Sequence, residues 1–264
     1  MLKIVLVLIL ALVLLVIIIW IVGVFLTNDF YLQTKNIQKY KKILIIFPHA
    51  DDEVLHTIGL IRNASQYVNK TTWVILTKGE RGTHDAHVDN NLKAIRTKEA
   101  QEAAKIYGVT KLIQEDFGDD RLHTKRKELT GYIETLIKNE KPDLIVTYDL
   151  AGEYGHPDHI IVSEITTDLV KKKYKNIALW YATYPKLIYN MGNFPTQMAQ
   201  DPNFMKRRAP AQFKIFLGWN IIKKIQATYV YKSQFQSFQS AIPYNIPPWY
   251  VFSMFICEYY NAAN

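Results

Sequence analysis

Two short clusters carry most of the chemistry legible in this chain: Pro48-His49-Ala50-Asp51-Asp52-Glu53 and Tyr154-Gly155-His156-Pro157-Asp158-His159. Each follows a run that reads as a buried strand. Together they offer enough imidazole and carboxylate groups for one divalent metal, with groups left over for acid–base work. A catalytic zinc takes three protein ligands and keeps one position open. His49 and Asp52 lie three residues apart, as do His156 and His159, so a tight turn or first helical turn aims each pair one way. Four such groups exceed three ligand places, which leaves at least one for substrate. Taken singly, an Asp-Asp-Glu is usually a helix N-cap and a His-Pro-Asp-His an ordinary loop. Their occurrence at two strand ends favours metal-dependent hydrolysis.

The elements that must position these groups alternate regularly. Ile43–Phe47, Thr72–Leu76, Lys111–Gln114, Leu144–Tyr148 and Ile177–Tyr181 are short β-branched and aromatic runs. Helix-length stretches at 54–67, 91–107, 125–139 and 158–172 separate them, the second stopping at Gly108, a C-cap residue. Pro157 stands where an early helical proline is tolerated. The alternation predicts an α/β fold, a Rossmann-like and mostly parallel sheet flanked by helices. Ligands of such sheets bind beyond the carboxyl ends of the strands, where both clusters fall. Thr77–Gly82 and Asp116–Arg121 fall there as well. No G-x-G-x-x-G follows the first strand, against a dinucleotide cofactor. Beyond residue 185 the pattern gives way to a Pro-, Tyr-, Phe- and Trp-rich region without clear periodicity.

Ile4 to Leu26 is an unbroken run of 23 residues without charge. At ~1.5 Å rise per residue it exceeds a ~30 Å hydrocarbon core. It is too long for a signal-peptide core and lacks an A-x-A cleavage pattern, so it reads as one N-terminal transmembrane helix. The expected organisation is an anchor at 1–30, a basic linker at 31–41, a catalytic domain at 42–240, and an aromatic segment at 241–264 packing on the domain or membrane. Lys3 and Asp29 cancel, so the net charge of +8 resides in the body. Lys35, Lys39, Lys41 and Lys42 follow the span, and the positive-inside rule then favours a single-pass protein with a cytoplasmic catalytic domain. Removing 1–30 is expected to leave the fold intact. Cys257 is the only cysteine, which rules out an intrachain disulfide. The basic charge carries no nucleic-acid reader motif, and none is expected as a partner.

Several segments together resemble the LmbE/PIG-L superfamily of zinc-dependent N-acetylglucosamine deacetylases. These are His49-Ala50-Asp51-Asp52-Glu53, Thr77-x-Gly79-x-x-Gly82, Arg96-x-x-Glu99 leading to Tyr107-Gly108-Val109, Pro142–Thr147, Gly155–His159 and a late Tyr231-Lys232-Ser233-Gln234. The likeness spans roughly 42–235. Ala50 replaces the family's proline, which frees φ and loosens the loop. The resemblance implies that His49, Asp52 and His159 bind Zn²⁺ or another divalent transition metal, with Asp51 as general base. It implies that His156, as an imidazolium, and Tyr154 assist at the oxyanion. Arg96 is expected to contact a polar headgroup of substrate, or to be a surface arginine paired with Glu99 or Glu102. Asp119 and Asp120 are expected either to bind sugar hydroxyls or to serve turn chemistry.

Weaker readings complete the sequence. His56 is expected to be a packed core histidine, and His84, Asp85 and His87 a lid or solvated loop. The mixed basic and aromatic stretch 203–224 reads either as a surface for anionic lipid or as an amphipathic helix packed on the domain. Ile242–Phe255 is too broken by proline for a second span and reads as an aromatic wall. The expected function is a membrane-anchored hydrolase removing an N-acetyl group from an N-acetylated amino-sugar substrate, lipid-linked or free. The alternatives are hydrolysis of another small amide, or a non-catalytic tethered module that binds glycans or lipids.

Overall fold

The computed structural model describes residues 1–67, 70–82, 90–191, 201–240, 242 and 246–263. Helix α1 (Leu2–Thr27) comes first, then β1 (Gln33–Thr34), β2 (Lys42–Phe47), α2 (Ile58–Ala64) and β3 (Lys70–Ile75). Next come α3 (Asn90–Tyr107), β4 (Lys111–Gln114), α4 (Arg126–Glu140), β5 (Leu144–Tyr148), a distorted turn α5 (Gly152–Gly155), α6 (Pro157–Lys173) and β6 (Ala178–Thr183). The chain ends with α7 (Lys186–Met191), β7 (Phe213–Phe216), α8 (Ile221–Val230), α9 (Phe235–Ser240), α10 (Pro248–Phe252) and β8 (Cys257–Ala262).

The described strands form one sheet in the order β1-β7-β8-β6-β5-β2-β3-β4. Its pairings are parallel except where β8 lies between β7 and β6 and runs against both. The α/β architecture expected from the sequence is thus present. Alternation along β2 divides the core. Ile43, Ile45 and Phe47 face one layer with α2, α3 and α8, while Leu44 and Ile46 face the other with α4 and α6. A strand covered on both faces is apolar at every position, which is why ILIIF is a continuous run.

Helix α3 ends where expected: Gly108 takes φ +77° and its N–H returns to Ala104 O at 2.9 Å. Helix α2 is shorter than its expected 54–67, because residues 51–57 form a chain of turns rather than helix. The irregular C-terminal region yields more sheet than its composition suggested. Within 203–224, Phe213 and Ile215 enter the core from β7 and Lys224 is fully buried. That stretch is therefore not one amphipathic helix. Segment 241–264 packs on the domain by contributing an inner strand, β8.

The leading residues are not independent of the sheet. The Asn28 side-chain oxygen accepts the Cys257 N–H at the start of β8 (3.2 Å), and Tyr259 Oη accepts the Asp29 N–H (2.7 Å). Excision of residues 1–30 therefore removes bonds that fix β8. The boundary of that deletion cuts past the apolar run into residues bonded to the sheet, so those bonds go with it.

Glu140 ends α4 against the amino-terminal edge of the sheet. It accepts from Thr72 Oγ1 (2.8 Å) and Lys111 Nζ (2.9 Å) and lies 2.5 Å from Lys70 Nζ. Burial alone would raise its carboxyl, but the hydrogen bonds from Lys70, Lys111 and Thr72 hold it at about 2. A carboxyl depressed below its unfolded value of about 4.3 stabilises the fold above that pH and loses the contribution as pH falls toward the folded value. Glu140→Gln should therefore cost about 1 kcal/mol at pH 7, the scale of a partly solvated pair. The difference should shrink between about pH 4 and pH 2. Denaturant titration of both proteins across that range measures it, and a pH-independent difference would exclude the charge as the cause.

Candidate metal centre

The two clusters meet at the carboxyl ends of β2 and β5, neighbouring parallel strands with Ile45 opposite Val146. The turn after β2 is held from within. The His49 N–H donates to Asp52 Oδ2 (2.8 Å) and the Asp51 N–H to Glu53 Oε2 (3.0 Å). Glu53 is fully buried and accepts from Tyr107 Oη (2.7 Å) and Tyr231 Oη (2.6 Å). Asp51 consequently sits at φ +100°, a conformation a non-glycine residue keeps only when its surroundings enforce it. On the other strand, His156 caps α6: its Nδ1 accepts the Asp158 N–H (3.1 Å) and Pro157 occupies the first helical position.

This brings His49, Asp52 and His159 together, one ligand atom from each lying within 4.8 Å of the others. His49 Nδ1 is 3.2 Å from His159 Nε2 and 3.7 Å from Asp52 Oδ2, and His159 Nε2 is 3.4 Å from Asp52 Oδ1. A second grouping, His49 with His156 and Asp158, meets the same distance limit. His49 faces both ways, for its Nε2 lies 3.0 Å from Asp119 Oδ1 and 3.5 Å from Asp158 Oδ2. His159 stacks on Tyr148 with centroids 4.5 Å apart, while Tyr148 Oη donates to Asp52 Oδ1 at 3.2 Å.

The residues fit a divalent cation. His49 Nδ1 and His159 Nε2 face one another at 3.2 Å beside the Asp52 carboxylate, and Asp158 Oδ2 is buried without a hydrogen-bond partner, a costly state for a closed core. Protonation is also frustrated. Burial would lower His49, yet Asp119, Asp158 and Asp52 hold it well above the usual imidazole value. Burial, together with the imidazoles of His156 and His49, drives His159 well below that value. Burial raises Asp52 far above the carboxylate range against the pull of His49. Once an ion displaces the proton of His49, two imidazoles and a carboxylate match the donors of a borderline divalent ion.

The remaining sequence candidates fall in distinct places. Asp51 stands beside the cluster with its side chain 20% exposed and Oδ1 3.4 Å from the Arg96 guanidinium. Tyr154 packs its ring against His159 at 5.3 Å, and burial holds its hydroxyl protonated. His156 is not an imidazolium here: burial and then the charge of His49 push it down to about 4. With Nδ1 accepting, the neutral ring carries its hydrogen on Nε2.

Arg96 is 3% exposed, closed off from solvent, and donates to Ala50 O (2.5 Å) and Gly79 O (3.5 Å). A Cβ at Gly79 or Gly82 would collide with its side chain, so both glycines make room for it. Arg96 thus ties the loops after β2 and β3 together instead of offering a free headgroup contact. Nor is it paired with Glu99, which binds Ser233 instead. Asp119 turns its Oδ2 to the Arg81 N–H (2.9 Å) and its Oδ1 to His49, an orienting contact more than a surface for sugar hydroxyls. His56 is packed, with Nε2 3.1 Å from Glu153 Oε1. His84, Asp85 and His87 lie outside the described residues.

Sequence reasoning missed Asp158, Glu153 and Tyr148. Asp158 was visible inside its motif, but nothing local shows that it faces His49. Glu153, at φ +62°, accepts from Tyr184 Oη (2.9 Å) and lies 3.8 Å from His159 Nδ1. No spacing in the chain signals that contact.

Residues 44–170 match the family model described as PIG-L, GlcNAc-PI de-N-acetylase. A diacetylchitobiose deacetylase of Thermococcus kodakarensis is 36% identical over 121 residues, 45% of this chain and 45% of that protein. The chain spans about half the length of the first curated relatives it matches. Among solved structures, N,N′-diacetylchitobiose deacetylase from Pyrococcus horikoshii superimposes with a TM-score of 0.59 at 22% identity, covering 85% of this chain and 84% of that one. GalB, the 4-carboxy-2-hydroxymuconate hydratase of Pseudomonas putida, gives 0.57 at 16% identity over 84% and 95%. Both structures share the fold, and the second shows that the fold alone does not set the reaction.

His49→Ala, Asp52→Ala and His159→Ala should each lose bound divalent metal, whereas His156→Ala should retain it. Asp119→Asn should lower metal affinity by roughly 10–100-fold, the usual effect of removing a carboxylate that orients a ligating histidine. Metal titration of the purified variants measures this. Metal kept by His159→Ala but lost by Asp158→Asn would assign the ion to the second grouping.

Proposed function

We propose, from the premise that residues 44–170 are a PIG-L-family domain, that this chain is a metal-dependent hydrolase removing an N-acetyl group from an N-acetylated amino sugar. The observation that carries the reading is the place of Asp51. It is a partly exposed carboxylate forced to positive φ directly beside a buried His-Asp-His cluster. His49, Asp52 and His159 would hold the ion, zinc by the nature of its donors. When bound, that ion supplies Lewis acidity toward the amide carbonyl and acidifies the attacking water.

The protein's own groups account for the proton traffic. Burial raises the Asp51 carboxyl, against the opposing charges of Arg96 and His49, which brings it closer to a working base. Asp51 takes the proton of water as the C–O bond forms and returns it to nitrogen as the C–N bond breaks, leaving amine and acetate. Arg96 and Glu53 fix Asp51 from its side chain and its N–H respectively. Neutral His156, through Nε2–H, and Tyr154, through its hydroxyl, donate to the oxyanion that develops.

Helix α1 is long and apolar enough to cross a membrane. Its leucines and isoleucines stand exposed all round, which suits lipid better than water. We read it as an uncleaved anchor, with the following lysines favouring a cytoplasmic body, and we read the substrate as lipid-linked. The same site would accept another small amide if its mouth excluded sugars. The retained histidines and carboxylates argue against a binding module without turnover.

Asp51→Asn keeps size and hydrogen bonding but cannot accept the proton. It should retain metal and substrate affinity while kcat falls by roughly 10²–10⁴. Amine release from a panel of free and lipid-linked N-acetylglucosamine compounds is the assay. A variant with near-normal kcat would remove Asp51 from the role, and no release from any sugar by the wild-type protein would reject the substrate class.

A further inference from the structure

Helix α1 does not stand clear of the domain. Trp20, Gly23, Val24 and Thr27 recur at helical spacing and turn inward. Trp20 Nε1 donates to Ser253 Oγ (2.8 Å), Thr27 Oγ1 to Met254 O (2.9 Å), and Tyr250 Oη donates to Val16 O (2.7 Å). A Cβ on Gly23 would overlap Met254 Sδ, so glycine permits the close approach. Helix α10 therefore lies alongside the second half of α1, not beyond its end.

That placement fixes a depth. Trp20 and Val16 lie about 10 Å and about 16 Å back along the axis from Thr27. The 26 residues of α1 make a helix of about 39 Å, against a hydrocarbon core of ~30 Å. Even if the surplus of ~9 Å all lies at the domain end, Trp20 reaches the hydrocarbon boundary and Val16 passes it by about 7 Å. The Tyr250 and Ser253 hydroxyls bonded to them lie at the same level.

Topology places this contact on the site's edge of the sheet. Strand β8 runs against β6 and β7, so its first residue, Cys257, lies opposite Phe216 at the carboxyl end of β7. Helix α10 precedes that residue, and α7, which follows the carboxyl end of β6, also contacts α1. Large apolar side chains are exposed on elements leaving this edge: Leu187 on α7, Phe216 at the end of β7, Trp219, Ile222 on α8 and Trp249 on α10.

The geometry points to α10 as a second membrane-inserted element, a short interfacial helix seated in the leaflet that holds the end of α1, with the phospholipid headgroup and upper acyl layer as its partner. This rests on the reading of α1 as a spanning helix. Trp249 is 49% exposed, and Tyr250 spends its hydroxyl on α1. Trp and Tyr are the residues that settle at the bilayer interface, and interfacial helices bury their apolar face ~5–10 Å deep. The carboxyl edge of the sheet, with the metal centre, then faces the bilayer.

The test uses the full chain in phosphatidylcholine vesicles, with Cys257→Ser and a single added cysteine carrying an environment-sensitive fluorophore. The positions are Trp249→Cys, Leu10→Cys within α1, and Lys105→Cys on the exposed part of α3. Acyl-chain-brominated phosphatidylcholine should quench the probes at 10 and 249 several-fold more than the probe at 105. Quenching at 10 without quenching at 249 would overturn the inference while leaving the anchor in place. Quenching at neither would show that α1 does not span, and the inference would fall with it. Equal quenching at 105 and 249 would also overturn it, as adsorption of the whole domain. Intrinsic fluorescence provides a check without the added cysteine: Trp249→Phe in the otherwise unchanged chain should lower the fraction quenched by brominated lipid, and an unchanged fraction would count against insertion.

Discussion

The crowding of carboxylates around His49 is the constraint from which the rest of the structure follows. Asp52, Asp119 and Asp158 approach its ring from both nitrogens, with Asp51 and Glu153 close behind. Mutual repulsion in a buried site would drive such groups apart or neutral. They are held instead by backbone donors, namely the N–H groups of His49, Arg81 and Leu122, and by the guanidinium of Arg96. Asp119, Asp158 and Asp52 hold His49 well above the usual imidazole value against its burial, and a divalent ion would relieve this crowding better than one proton does.

Much of that holding comes from far along the chain. Glu258 on β8 accepts the N–H groups of Gly59 and Leu60 at the start of α2 (2.7 and 3.0 Å), and the Tyr260 hydroxyl donates to His56 O. Lys224 on α8 donates to Leu55 O (3.2 Å), and Tyr231 donates to Glu53. The turns between β2 and α2 thus rest on α8 and β8. Burial lowers Lys224 to about 8 against the attraction of Glu258. The C-terminal third of the chain acts as the brace that keeps Asp51 in its positive-φ conformation.

The same strand joins the site to the leading helix. Residues preceding β8 bond to α1, and β8 itself bonds to Asn28 and Asp29. The hydrogen bonds between α1 and 250–254 fix the leading helix against the domain, so the direction in which the carboxyl edge of the sheet faces relative to α1 is a property of the fold.

The sequence by itself determined the alternating core of the sheet, the helix stop at Gly108, the early proline of α6 and the convergence of two histidine–carboxylate clusters at strand ends. Each of these is written in local terms: continuous β-branched runs, a glycine where φ is positive, histidines and carboxylates at a spacing of three. It did not determine β7 and β8, whose short aromatic stretches lack a clear period and become strands only by pairing with an existing sheet edge. Nor did it determine the place of Arg96, the neutral state of His156 or the facing of Asp119 and Asp158 toward His49. Those depend on burial and on which charges meet across loops, and Coulomb interaction and desolvation follow distances through space that the order of residues does not record. Tertiary structure alone decided them.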